Sequence, residues 1–151
     1  MPAHVDISLT EVAAQLRTAL VRTARRLRQE AAAETSGLTP TSVAALATVE
    51  RHGPLTPSEL AAIERVRRPT VTRTLRCLER EELIDRAPDP ADGRSSLVSV
   101  NAAGRERLRR LRGRKNAYLA RRMRDLSPGE VETLERAAAI LERMREGERP
   151  R

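Results

Sequence analysis

The chain of 151 residues carries 29 basic against 21 acidic side chains, a formal charge of +8 that favours a polyanionic partner. Its length suits one modest domain, or a compact module with long helices added for assembly. One cysteine, Cys77, excludes an internal disulfide framework and a cysteine-based zinc site, and a single aromatic residue, Tyr118, argues against modules that stack single-stranded DNA or RNA bases on aromatic rings.

From Leu9 to about Ala32 the positions Leu9, Val12, Ala13, Leu16, Leu20, Ala24 and Leu27 recur at three- and four-residue spacing. That predicts an amphipathic helix, begun by Ser8 or Thr10 as a cap with Glu11 near its positive end. Gly37 interrupts the pattern, and Thr39-Pro40 followed by Val43, Leu46, Ala47 and Val49 predicts a second helix that His52-Gly53-Pro54 stops. A short third helix follows, with Thr56 as cap, Pro57 at its first position and Glu59 at its third, the composition of a capping box. In the fourth helix Pro69 fixes an early backbone angle, and Val71, Leu75 and Leu78 line one face.

The fourth helix is expected to end before a strand that starts at Leu83-Ile84. Pro88-Asp89-Pro90-Ala91-Asp92-Gly93 then has the composition of an extended turn, and Leu97, Val98 and Val100 suit a return strand. Two strands alone are marginal, so they need helices beneath them. Asn101 caps a long fifth helix with scattered apolar positions at Leu108, Leu111, Ala117 and Leu119, while Gly104 and Gly113 lower its local propensity. Ser127-Pro128-Gly129-Glu130 repeats the cap, proline and glutamate signature before a last helix striped by Val131, Leu134, Ala138, Leu141 and Met144.

The expected architecture is mainly α with a small β wing: a winged helix-turn-helix plus N- and C-terminal dimerisation helices. Residues 1–37 form the N-terminal dimerisation helix, 38–100 the DNA-binding domain, and 101–151 the C-terminal linker and dimerisation helices. The apolar stripes of the first and last helices must be covered, either across a twofold axis or by packing within one chain.

Helix direction separates the faces of the fourth helix. Val71, Leu75 and Leu78 face the core, whereas Arg73, Arg76 and Arg80 project opposite them, in a segment from Arg65 to Arg80 whose only acid is Glu79. Arg73 is the best base reader, because a guanidinium can bridge guanine O6 and N7. Thr70 and Thr72 can touch phosphate or a thymine methyl, and Arg67 and Arg68 are backbone clamps at the start of the helix. In the wing, Arg94 with Ser95 can reach a narrow minor groove, or Arg94 can instead close a salt bridge with Asp92. From Arg105 to Arg124 Glu106 is the only acid. There some arginines can flank DNA, while Arg109, Arg110 and Arg112 can instead hold glutamates of the last helix.

With these residues in place the chain resembles the MarR family of transcriptional regulators. The matching strings are Leu38-Thr39, Leu60-Ala61, Arg68-Pro69-Thr70-Val71-Thr72-Arg73, and Asp89-Pro90-Ala91-Asp92-Gly93-Arg94, and the likeness covers nearly the full length. It implies a homodimer on double-stranded DNA, at a pseudopalindromic operator, acting as a repressor that a small-molecule effector relieves. The chain departs from the family where Glu64 and Arg65 replace an apolar residue and glycine, where Arg67 replaces the usual serine cap, and where Glu82 replaces the glycine before the wing.

Arg17, His52 and Tyr118 are candidates for an effector cleft, although pockets for aromatic compounds usually carry aromatic walls and only Tyr118 is available. Cys77 is a candidate redox site whose more ordinary role is to fill a helix contact. His4 and His52, the only histidines, sit in no catalytic motif, and no glycine-rich phosphate loop or metal-ligand spacing occurs, so no enzyme, cofactor or metal site is expected. No apolar run or signal pattern suggests a membrane, and a cytoplasmic location is expected. The competing readings are a weakly specific architectural DNA-binding protein and a DNA-independent dimerisation adaptor.

Overall fold

In the computed structural model, which describes residues 8–146, helix α1 (Leu9–Glu30) leads through a short 3-10 turn (Ala32–Thr35) into α2 (Pro40–His52), α3 (Pro57–Glu64) and α4 (Arg68–Arg80). Strands β1 (Ile84–Pro88) and β2 (Ser96–Val100) follow, then α5 (Ala102–Met123) and α6 (Pro128–Glu146). The described chain falls into two compact units, one ending at Lys115 and the other beginning at Asn116, a boundary inside α5. His4 lies outside the described residues. No described helix is long and apolar enough to cross a membrane.

Local chemistry fixes the helix starts. Ser8, rather than Thr10, caps α1 by accepting from the Glu11 backbone N–H, and Thr39 caps α2 by accepting from Ser42. The box at α3 is complete: Thr56 Oγ1 accepts from the Glu59 N–H at 3.2 Å, and Glu59 Oε2 accepts from the Thr56 N–H at 2.7 Å. The same reciprocal pair joins Ser127 and Glu130 at α6, at 3.3 and 2.7 Å. Asn101 caps α5 through Oδ1, which accepts from the Gly104 N–H at 2.9 Å.

The core belongs to the first unit. Leu46 and Val49 of α2, Leu60 of α3, and Leu75 and Leu78 of α4 close on Leu83, Val98, Leu108 and Leu111, all essentially inaccessible. Each fully buried leucine contributes roughly 1.5–3 kcal/mol. Strands β1 and β2 pair antiparallel from Ile84 with Val100 to Pro88 with Ser96, and Leu55 adds a further bridge to Val98 through bonds of 3.0 and 2.8 Å. That bridge, absent from the sequence reading, ties the hairpin to the turn between α2 and α3.

Two glycines do more than the sequence indicated. Gly104 reads there as a propensity cost, yet a Cβ at this buried position would lie 2.2 Å from the carbonyl oxygen of Leu83, the residue before β1, so the start of α5 packs there only because no side chain intervenes. Gly37 has φ +79, and a Cβ there would meet the Glu81 carboxylate at 2.6 Å. Elsewhere the left-handed backbone falls to residues with side chains: Arg65 ends α3 with φ 52, and Glu82 follows α4 with φ 54. These are two of the positions where the sequence departs from the family.

Candidate nucleic-acid interface

Val71, Thr74, Leu75 and Leu78 turn one side of α4 into the core, which leaves Arg73, Arg76 and Thr72 exposed on the other. Thr70, at the third position of the helix, is also exposed. Arg67 occupies the cap position in extended conformation and makes no side-chain capping bond, Arg68 follows it, and no acidic residue occupies the first turn. Two guanidinium groups thus sit at the positive end of the helix dipole, each at a cost of about 0.3–1 kcal/mol. An anion placed there reverses the sign of that contribution.

The bonding of the arginines near the candidate interface differs from that of the arginines in α5. The guanidinium groups of Arg67, Arg68, Arg73, Arg76 and Arg94 make no hydrogen bond or ion pair with any described residue. Those from Arg105 to Arg114 of α5 are engaged. Arg105 donates to the Val100 carbonyl at 2.8 Å, Arg107 to the carbonyls of Glu34 and Ser36 at 3.1 and 3.3 Å, and Arg109 to Glu106 at 2.7 and 2.6 Å. Arg110 reaches Glu34 at 2.9 Å, Arg112 reaches Glu50 at 2.5 Å, and Arg114 reaches Glu34 at 3.5 Å. The expectation that glutamates of the last helix hold Arg109, Arg110 and Arg112 is therefore corrected. Glu106 lies one helical turn from Arg109 and Arg110, while Glu34 and Glu50 are presented by the 3-10 turn and α2. The guanidinium of Arg109 holds the Glu106 carboxyl below the ordinary glutamate range.

The turn at the wing tip is organised by aspartates acting on the backbone. Asp89 Oδ1 accepts from the Ala91 N–H at 2.9 Å, and Asp92 Oδ1 accepts from the Arg94 N–H at 3.0 Å. The alternative of an Asp92–Arg94 salt bridge is thereby corrected: the carboxylate holds the Arg94 backbone and leaves its side chain exposed. Ser95 is half-buried, its N–H donating to the Asp92 carbonyl at 2.9 Å. At the base of the wing Arg86 bonds both Glu79 and Ser96, so the single acid on the α4 surface is neutralised from β1.

A cleft of about 320 Å³ runs between the start of α2 and α4, with Thr39, Thr41, Thr70, Arg73 and Cys77 among its walls. The hydroxyls of Thr39 and Thr41 beside the helix start went unnoticed in the sequence, where Thr39-Pro40 signals a cap and nothing places it next to Thr70. Thr72 donates its hydroxyl to the Arg68 carbonyl at 3.1 Å, which leaves its methyl as the group it offers outward. Cys77 is half-buried rather than a buried filler: its Sγ donates to the Gly37 carbonyl at 3.3 Å, and an Arg80 nitrogen stands 3.8 Å away.

Of the residues expected at an effector cleft, Arg17 and His52 are exposed and Tyr118 is half-buried in the second unit. A cavity of about 390 Å³ lies elsewhere in the first unit, between α1, the 3-10 turn and α2, with Lys115 of α5 on its wall.

Three helices, the last of which exposes Arg73 and Arg76, followed by a hairpin that projects Arg94, define a winged helix-turn-helix DNA-binding head. The sequence profile of the MarR family matches residues 38–96. An HTH-type transcriptional regulator of Mycobacterium bovis is 37% identical over 130 residues, covering 86% of this chain and 90% of the relative. Among solved structures, RV1404 from Mycobacterium tuberculosis superposes with a TM-score of 0.82 at 25% identity, over 94% of this chain and 97% of that one. MarR superposes with a TM-score of 0.71 at 26% identity, over 85% and 96%. The chain belongs to the MarR family: it is a DNA-binding transcriptional regulator and not an enzyme.

Proposed function

We propose that the protein is a cytoplasmic homodimeric repressor that occupies a pseudopalindromic operator and releases it when a small effector fills the cavity beside α1 and α2. Residues 38–100 are the DNA-binding domain, with 1–37 and 101–151 supplying the dimer helices. Arg73 reads a guanine edge, with Arg76 and the methyl of Thr72 beside it. Arg67, Arg68 and Thr70 hold phosphates, and Arg94 with Ser95 follows the minor groove. The observation that carries this reading is the contrast between the exposed guanidinium groups of Arg67, Arg68, Arg73, Arg76 and Arg94, which have no partner among the described residues, and those from Arg105 to Arg114 of α5, which are consumed within the fold.

Release follows from the segment between α1 and α2. Ala31, Thr35 and Leu38 face the cavity, Arg107, Arg110 and Arg114 grip the same segment at Glu34 and Ser36, and Cys77 of α4 bonds its Gly37 carbonyl. An occupant that shifts this segment acts on α4 directly.

Selection of genomic fragments with purified protein yields the operator, on which Arg73→Ala and Arg109→Ala are then compared. Arg73→Ala is expected to lose about five- to 150-fold on the selected site, the equivalent of about 1–3 kcal/mol, and less on random duplex. Arg109→Ala should stay within about twofold. Equal losses for Arg73→Ala on both duplexes sink base reading, and equal affinity of the unaltered protein for selected and random DNA at physiological salt makes it an architectural binder instead.

A further inference from the structure

The cavity of about 390 Å³ has walls of Ala24, Leu27, Leu38 and Val43, and two cations, Arg28 and Lys115. Neither cation makes a hydrogen bond or ion pair with a described residue. Nearby, Arg26 bonds Glu30 at 2.5 Å, and Arg112 and Arg114 reach glutamates at 2.5 and 3.5 Å. Lys115 is also the chain's only lysine. An apolar recess whose charged groups are both positive and both uncommitted is complementary to a molecule with an apolar body and one negative head. Its volume lies at the lower end of the range of small-molecule sites. None of its walls is aromatic. A flat ring therefore gains none of the ring-to-ring attraction that makes aromatic pockets selective.

The geometry points to an organic anion with an aliphatic body, a carboxylate of short to medium chain, as the occupant of this cavity. Its hydrocarbon lies against Leu27, Leu38 and Val43, and its carboxylate accepts from Arg28 and Lys115 in charge-assisted hydrogen bonds. This assignment rests on the effector reading given above for its regulatory meaning, but the chemistry of the walls stands without it.

Calorimetry on the full-length protein with sodium octanoate, 1-octanol and 2-naphthoate tests the assignment. Octanoate is expected to bind at least about tenfold more tightly than the uncharged alcohol, the least that a hydrogen bond to a charged group supplies. 2-Naphthoate is expected to bind no more tightly than octanoate. The double substitution Arg28→Ala with Lys115→Ala should erase the preference for octanoate over octanol, and circular dichroism and melting checked in parallel show that the fold is kept. Equal binding of octanoate and octanol, an unchanged preference in the double variant, or tighter binding of 2-naphthoate overturns it. So does the absence of binding, which leaves these walls to a second copy of the chain. Operator affinity measured in the same samples separates the two readings: octanoate that binds as described without altering operator affinity overturns the effector role and leaves the ligand class standing.

Discussion

Arg65 and Glu82 hold φ of 52 and 54, where a side chain costs about 1–2 kcal/mol relative to right-handed backbone. Glycine relieves that strain but adds unfolded-state freedom worth about 0.5–1 kcal/mol. Glu82→Gly is therefore expected to raise stability by about 0.5–1 kcal/mol, read as a melting temperature about 1–4 °C higher. The opposite holds at Gly104, where a methyl group would overlap the Leu83 carbonyl. Gly104→Ala should cost about 3 kcal/mol in denaturant unfolding, and a loss under 1 kcal/mol would show that α5 moves away from Leu83 freely. The sequence carries the identity of these residues but not their φ angles. Arg65 and Glu82 stand out only beside a family pattern, and Gly104 reads as a mere propensity defect because its neighbour across space, Leu83, is remote along the chain. The faces of α4 were legible because helical period alone separates Val71, Leu75 and Leu78 from Arg73 and Arg76. The partners of Arg110, Arg112 and Arg114 were not, since Glu34 and Glu50 are brought to them by the fold.

Among the elements, the helix starts were the most readable, because a capping box is a local four-residue device that needs no tertiary partner. Glu59 and Glu130 lie below the ordinary glutamate range, each because it accepts hydrogen bonds from the backbone and the hydroxyl of its own cap residue, Thr56 or Ser127. A carboxylate depressed in the folded state stabilises the protein above its unfolded value, and that contribution is lost as pH falls through the folded one. Stability should thus decline on acidification below the glutamate range. Glu59→Gln, which keeps the shape without the charge, should be less stable than the natural chain by the same amount at pH 7 and pH 9 and should converge with it towards pH 3, so that its acid limb in melts is flatter. An unchanged acid limb would mean that the α3 box adds nothing pH-dependent. The 3-10 turn was invisible in the sequence for the opposite reason: Ala32–Thr35 has no strong local signal, and arginines more than seventy residues away hold it.

At the scale of the whole molecule, the apolar stripes of α1 and α6 are the largest unmet demand. No residue of α1 is buried, and Val12, Leu16 and Leu20 are each more than a third exposed, as are Val131, Leu134 and Met144 of α6. A second copy that covers both stripes is the assembly proposed here, and it makes half-site recognition by two α4 helices possible. Leu20→Glu with Leu134→Glu is expected to shift the protein to a monomer in analytical ultracentrifugation and to weaken operator binding by orders of magnitude. Circular dichroism should show the helices retained. A dimer that survives both changes would locate the interface elsewhere. The periodicity of these stripes was legible from the sequence, but what covers them is a property of two chains rather than one.

The bare start of α4 has a thermodynamic consequence. With Arg67 in the cap position and Arg68 behind it, the free protein forgoes a stabilising cap and carries two cations against the helix dipole. Arg67→Ser should accordingly make the free protein more stable, by about 0.5–2 kcal/mol, while loosening its hold on DNA. Protein stability and operator occupancy are then linked through mass action: duplex, by supplying the missing negative charge, raises the unfolding temperature of the natural chain more than that of the serine variant. On the proposed docking, the regulator is expected to resist unfolding and proteolysis most while seated on its site, and a molecule that dislodges it would also expose it to turnover.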